Sequence, residues 1–265
     1  MTLSFNKYQG TGNDFIIIDN RNSVLNPSDS VAIKTLCERR TGIGADGLIL
    51  IEKAEGCDFR MIYFNSDGLL GSMCGNGGRC AADFAIRHGI AARKLSFMAS
   101  DGLHHAESYD GKVRLSMSDV SEKKIIEGNY FINTGSPHYV IFAGDPDTAD
   151  VINEGRRIRW SSLFPDGGTN VNFVKASKDH IYVRTYERGV EAETLSCGTG
   201  VTASAIAAVL SGHFVSSPIN IRTRGGNLMA EFDIRGNLIT NIWLTGPATF
   251  VFEGKIEVQD GHGLV

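Results

Sequence analysis

Two cysteines in this chain stand at the same place in nearly the same turn. Cys74 opens "CGNGGRC" and Cys197 opens "CGTGVTAS"; each is followed by Gly-x-Gly and then by residues that suit a helix. A thiol at a helix start faces unpaired backbone N–H groups and the positive end of the helix dipole, which favours its thiolate. The same N–H groups can seat a carboxylate, and the glycines let a ligand approach the backbone. Each turn therefore joins an acid/base group to an anion seat: Cys74 with Gly75 and Asn76, Cys197 with Gly198 and Thr199. Two such groups facing one small molecule invert a stereocentre. One, as thiolate, removes a proton from carbon; the other, as thiol, returns a proton to the opposite face. Needing opposite protonation states, they titrate as a coupled pair. A single cysteine at a helix start is more often a packed small residue. A second one at an equivalent position reverses that reading.

The equivalence extends along the chain. Gly12 precedes Cys74 by 62 positions, and Gly135 precedes Cys197 by 62. The resulting offset of 123 also carries Tyr63 onto Tyr186, Gly77 onto Gly200, Gly89 onto Gly212 and Gly102 onto Gly225. Cys37, Cys57 and Cys80 have no cysteine partner at that offset, so they are assigned to packing. Each half begins with an apolar strand after a Thr-Gly turn, at Phe15–Asp19 and Tyr139–Ala143. Weaker helical patterns follow over 28–40 and 148–158. Two close strands come next, "GLILIEK" with "CDFRMIYF" and "VNFVKAS" with "HIYVRTYE". Then come the cysteine turn and a small-residue helix, over 77–88 and 200–211. Gly89 and Gly212 suit the left-handed position past a helix end. Alternating strands close each half. The expected fold is α+β: two pseudo-symmetric mixed-sheet domains, each wrapped around a central helix, with the active site in the cleft between them. The expected domains are 1–120 and 121–247, with strands in 248–265 returning to the first.

Composition narrows the function. With 26 basic and 30 acidic residues the net charge is -4, which gives no footprint for nucleic acid or an anionic membrane. No apolar run approaches the length of a membrane span. The beginning of the chain lacks the basic-then-apolar order of a signal peptide, so a cytoplasmic protein is expected. Five cysteines without a Cys-x-x-Cys pair suit neither a disulfide framework nor a structural zinc site.

The ordered set "GTGNDFIIID", "GIGADGLILIE", "NSDG", "MCGNGGRC", "TGSPHYV", "GTNVNF" and "YERG" with "ETLSCGTG" resembles the diaminopimelate epimerase family over nearly the whole chain. The resemblance implies interconversion of LL- and meso-2,6-diaminopimelate for lysine and cell-wall precursor synthesis, without pyridoxal phosphate, metal or other cofactor. It assigns Cys74 and Cys197 as the acid/base pair, and Asn13, Asn65, Asn170, Glu187 and Arg188 as substrate-binding residues beside Gly75, Asn76, Gly198 and Thr199. His138 matches a supporting position near the catalytic pair, and a homodimer is compatible with the family. Arg188 can grip the carboxylate of the substrate's unreacting head in a fork, helped by the amides of Asn65 and Asn170, and Glu187 can accept from an ammonium. Departures from the family pattern fall at Ser136, at Gly47, in "GLLGSM", and in a loop before Cys197 that is one residue longer. Two other readings compete: a related cofactor-independent racemase of the proline or hydroxyproline type, and a binding module that seats an amino acid without chemistry. A phenazine-biosynthesis-type isomerase shares the fold but does not use two cysteines.

Overall fold

In the computed structural model, which describes residues 2–165, 167–259 and 263–264, the chain forms two units. The first comprises Met1–Leu115 and Pro247–Val265, the second Ser116–Gly246.

The first unit opens with β1 (Thr2–Gly10) and β2 (Asn13–Asp19), followed by α1 (Ser30–Cys37), β3 (Gly47–Glu52) and β4 (Phe59–Asn65). Then come α2 (Gly75–Arg87), β5 (Lys94–Ala99), β6 (Gly102–Tyr109) and β7 (Lys112–Ser116). In β2 and β3 the residues Phe15 to Ile18 and Leu48 to Ile51 are all buried, as expected when both sheet faces are covered. Ile16, Ile18, Leu48 and Leu50 pack with Ile33 and Leu36 of α1. The opposite face meets α2, which touches β1, β2, β3, β4 and β6. Its glycines and alanines (Gly77, Gly78, Ala81, Ala82, Ala85) let the sheet curl around it. Asp29 caps α1 through the Ala32 N–H at 3.0 Å.

The second unit contains β8 (Lys123–Ile126), β9 (Asn129–Asn133), β10 (Pro137–Phe142), α3 (Val151–Arg159), β11 (Asn170–Ala176) and β12 (Ile181–Glu187). It continues through β13 (Ala192–Thr194), α4 (Gly198–Leu210), β14 (Ile219–Thr223), β15 (Gly226–Arg235) and β16 (Leu238–Pro247). The chain then returns to the first unit as β17 (Thr249–Gln259), antiparallel to β1, with β18 (Gly263–Leu264) beside it. The expected strands in 248–265 are thus one long strand, which takes in nearly all of "ATFVFEGKIEV", and a two-residue partner beyond it.

Strand pairing runs in the same order in both units. From β1 to β7 the pairs are antiparallel, parallel, antiparallel, parallel, antiparallel, antiparallel. From β9 through β10, β11, β12, β14 and β15 to β16 the series is identical. The offset of 123 holds for the first parallel pair of each unit: Phe15 lies opposite Gly47, and His138 opposite Asn170. It slips in the next hairpin. Leu48 pairs with Phe64, whereas Val171 pairs with Tyr186, so the counterpart of Tyr186 is Phe64 and not Tyr63. The Cys74-to-Cys197 spacing still fits the offset, so the residue lost in the hairpin is regained between Tyr186 and Cys197. Similarly, Gly102 corresponds to Gly226: each begins a strand opposite the end of its neighbour, with φ of 130° and 143°. Gly89 and Gly212 follow their helices at φ of 67° and 78°, as expected.

Candidate active site

Each cysteine is the N-cap of the central helix of its unit. Cys74 has φ/ψ of −110°/114° and Cys197 −116°/114°, so the backbone delivers both thiols in one geometry. This is the position where Ser, Asp or Asn usually satisfies a helix start.

Around Cys74 the structure brings together Asn13, Asn76 and the Thr11-Gly12 turn. Gly77 N–H points at Cys74 Sγ from 3.5 Å, and Asn13 Oδ1 lies 3.6 Å from it. Asn13 is oriented from behind: its Nδ2 donates to Asp46 Oδ2 at 2.7 Å, which turns Oδ1 toward Cys74 and toward Asn76 Nδ2 at 3.4 Å. Asp46 belongs to a charged network with Arg39, Asp14 and Lys7. Burial opposes the ionisation of Asp14, but Arg39 and Lys7 outweigh it and hold its pKa at about 2. The two-residue turn from β1 to β2 has φ of 51° at Thr11 and 86° at Gly12. A β-branched residue rarely adopts that conformation. Thr11 is held there by a hydrogen bond from its Oγ1 to Asn76 Oδ1 at 3.2 Å.

Around Cys197 the structure places a buried polar chain. Thr185 Oγ1 donates to Asn172 Oδ1 at 2.9 Å, and Asn172 Nδ2 donates to His138 Nδ1 at 3.1 Å. That makes Nδ1 an acceptor, so His138 Nε2 carries the hydrogen and donates to Thr199 Oγ1 at 2.9 Å. The Thr199 hydroxyl hydrogen is then available to Cys197 Sγ at 3.4 Å. His138 is fully buried, and desolvation, with the charge of Arg188, pushes its pKa down to about 3. It is therefore neutral. Thr134 Oγ1 bonds the Thr199 carbonyl at 2.9 Å and anchors the helix start. Gly200 lets α4 sit on this chain, because a Cβ there would lie 2.5 Å from Asn172 Oδ1 and 3.2 Å from the His138 ring.

The expected distal-head residues of the second unit cluster separately. Asn170 is buried and its amide is fully engaged: Oδ1 accepts from Arg188 N at 2.8 Å, and Nδ2 donates to Ser136 Oγ at 2.9 Å and Pro137 O at 2.8 Å. It positions Arg188 and Ser136. Arg188 is exposed, with its Nη2 3.5 Å from Ser136 Oγ; Arg159, which could have competed for an anion, is paired with Glu191. Glu187 is half-buried and accepts from Thr194 Oγ1 at 2.7 Å. In the first unit, Asn65 is exposed at the end of β4, followed by a turn in which Gly68 N bonds its carbonyl at 3.0 Å. At Gly47 no side chain fits, since a Cβ would lie 2.5 Å from both the Tyr63 ring and the Phe64 carbonyl. The other cysteines lie off the site: Cys37 and Cys80 are buried, and Cys57 bonds the Phe59 carbonyl at 3.3 Å.

Thr11, Asp46, Arg79, Asn172 and Thr185 were not singled out from sequence. Asp46 lies inside the "GIGADG" motif and Thr11 inside "GTGND", which was the available signal. Asn172 lies inside "GTNVNF" and Arg79 inside "MCGNGGRC", which offered the same signal, whereas Thr185 sits in a strand pattern that gives none. Among the described residues no group of three or more His, Cys, Asp or Glu side chains is placed to hold a metal ion.

Solved structures share this fold. A PhzF-family phenazine biosynthesis protein from Bacillus anthracis superposes with a TM-score of 0.77 at 14% identity, over 97% of this chain and 100% of that one. A hydroxyproline epimerase from Agrobacterium vitis superposes with a TM-score of 0.72 at 14% identity, over 98% and 94%. The architecture is thus that of the PhzF and racemase-type proteins. Sequence narrows the class further: the diaminopimelate epimerase family model matches residues 5–123 and 130–251. Diaminopimelate epimerases of Flavobacterium psychrophilum and Aquifex aeolicus are 51% and 43% identical, over 94% and 97% of this chain and 98% and 99% of theirs. The chain belongs to the diaminopimelate epimerase family.

Proposed function

We propose that this chain is an isomerase that interconverts LL- and meso-2,6-diaminopimelate by proton transfer at an α-carbon, without pyridoxal phosphate. The observation that carries the reading is the pair of cysteine-capped helices with matching backbone geometry, in a chain of this family. One of Cys74 and Cys197 acts as thiolate and takes the α-proton; the other acts as thiol and delivers a proton to the opposite face. The N–H groups at Gly75-Asn76 and Gly198-Thr199 receive the reacting carboxylate, where negative charge grows as the proton leaves. Arg188, Glu187 and Asn65 receive the unreacting amino-acid head, with Asn170 fixing Arg188. That second zwitterionic head favours diaminopimelate over proline or hydroxyproline. The role is a biosynthetic one, and the reduced thiols it requires suit the cytoplasm.

Cys74→Ala and Cys197→Ala are each expected to lower epimerisation of LL-diaminopimelate by about 10²–10⁴-fold or more, with the circular dichroism spectrum retained. Wild-type turnover in either folded variant would defeat the two-thiol reading. Loss of both activities together with faster turnover of proline than of diaminopimelate by wild type would favour the racemase alternative.

A further inference from the structure

The turn that carries Arg188 is tied down at consecutive backbone groups. Arg188 N donates to Asn170 Oδ1 at 2.8 Å. The next residue, Gly189, donates its N–H to Glu191 Oε1 at 3.0 Å, and Glu191 N bonds the Glu187 carbonyl at 2.9 Å. Glu191 thus folds its side chain back into the turn that its own backbone closes. It does so from the left-handed region, with φ of 56°. A residue other than glycine is strained there and stays only where its surroundings impose the conformation.

The surroundings here are Arg159, on the last turn of α3. Its guanidinium reaches Glu191 Oε1 with Nε at 3.1 Å and Nη2 at 3.0 Å, while Nη1 donates to the Gly167 carbonyl. The arginine is buried, and two glycines make room for it. At Gly155, one turn earlier on α3, a Cβ would lie 2.4 Å from the Cβ of buried Tyr186, so glycine lets the helix close on β12. At Gly168 a Cβ would lie 1.7 Å from Arg159 Nη1. The second carboxylate oxygen of Glu191 lies 3.4 Å from the Tyr186 hydroxyl. Burial opposes the ionisation of Glu191, but the Gly189 N–H and Arg159 outweigh it and hold its pKa below the ordinary range. Such a pair adds little stability over apolar packing. A buried arginine, a left-handed glutamate and two glycines without room for a side chain all converge on one turn, and that turn presents Arg188.

We infer that Arg159 and Glu191 are positioning residues for recognition of the substrate's distal carboxylate, acting through Arg188. The inference rests on the reading of Arg188 as the group that grips the unreacting head. Asn170 holds the N–H before the Arg188 Cα and Glu191 holds the N–H after it, so the backbone is ordered before substrate arrives. A turn already ordered loses less freedom on binding, which strengthens the grip. The charge of Arg159 is answered by Glu191, so Arg159 does not compete with Arg188 for the carboxylate.

The test is steady-state epimerisation of LL-diaminopimelate by wild type, Glu191→Gly and Glu191→Gln, with circular dichroism of each. Glycine suits the left-handed backbone, so Glu191→Gly removes the carboxylate without adding strain. Glutamine keeps an oxygen that can accept from Gly189 N and Arg159, and the Tyr186 hydroxyl can accept from its amide. Glu191→Gly is expected to raise KM by about tenfold or more with kcat within about threefold, the signature of lost binding common to ground and transition states. Glu191→Gln is expected to stay within about threefold of wild type in both. An unmoved KM in folded Glu191→Gly overturns the inference, as does a fall in kcat without a rise in KM, or a Glu191→Gln as impaired as Glu191→Gly. A second measurement needs no variant. In the substrate-free wild type, the Arg188 and Gly189 amides are expected to exchange hydrogen by NMR at least about tenfold more slowly than an unstructured chain. Exchange at the unstructured rate overturns the inference whether or not a variant folds. Wild-type turnover reports on the function itself: an inactive wild type overturns that reading and the inference with it, whereas an active wild type with an unmoved KM in Glu191→Gly sinks only the positioning role.

Discussion

His138 shows how burial fixes the role that a histidine can take. Its pKa of about 3, set by burial and then by Arg188, keeps it neutral, and the amide of Asn172 decides which nitrogen carries the hydrogen. The role has a cost that can be measured. In the unfolded chain the ring takes up its proton near pH 6.5. From there down to about pH 3 the unfolded state holds one proton more than the folded state, so stability falls as pH falls. The limiting slope is about 1.4 kcal/mol per pH unit. Asp14 acts in a lower window: its folded pKa of about 2 lies below its ordinary value, so its contribution is lost only as pH falls from about 4 toward 2. The thermal midpoint of the wild type is therefore expected to drop between pH 7 and pH 5, and His138→Gln is expected to reduce that drop. An equal drop in both proteins would remove His138 from the account. Cys74 and Cys197 were legible in sequence because type, flanking glycines and spacing repeat. Asn172 and Thr185 were not, because a polar residue on a strand reads as solvent-facing until the helix that covers it is in place.

At the scale of elements, glycine decides how closely the helices approach the chemistry. Gly200 lies against Asn172 and His138, and Asn172 cannot swing aside because Thr185, Tyr139 and His138 hold its amide. Gly200→Ala is favourable by helix propensity by about 1 kcal/mol, but overpacking costs about 1–3 kcal/mol and acts on the first turn of α4. The variant is expected to be less stable in denaturant titration and to lose turnover as Thr199 and Cys197 shift. Unchanged stability and turnover would mean that the close approach is not needed. Central helices, the apolar strands β2 and β10, and the glycines that end the helices were legible from periodicity and turn chemistry. The strand β1 was not read, because "TLSFNKYQG" alternates over a face that only β17, far along the chain, completes. The register slip between the two hairpins was also hidden, since a residue lost before Tyr186 is regained before Cys197 and the cysteine spacing is unchanged.

For the whole molecule, two units with one order of strand pairing carry different fittings beneath the same cysteine cap: charged groups and the buried Arg79, which donates to Asn76 Oδ1, in the first, the neutral Thr185–Asn172–His138–Thr199 chain in the second. A two-base reaction needs one thiol ionised while the other is not, which the coupled titration of a pair can meet. The fold alone does not specify the reaction, since PhzF-family proteins share it at 14% identity; the proposed function rests on the cysteines, Arg188 and membership of the epimerase family. The most direct measurement follows α-hydrogen exchange by mass spectrometry while the enzyme acts on LL-diaminopimelate in D2O. If one cysteine removes the proton and the other delivers a solvent-derived one, early meso product carries one α-deuterium while the remaining LL substrate stays undeuterated. Deuterium entering recovered LL substrate as fast as product, or meso product without α-deuterium, would contradict two thiols acting on opposite faces.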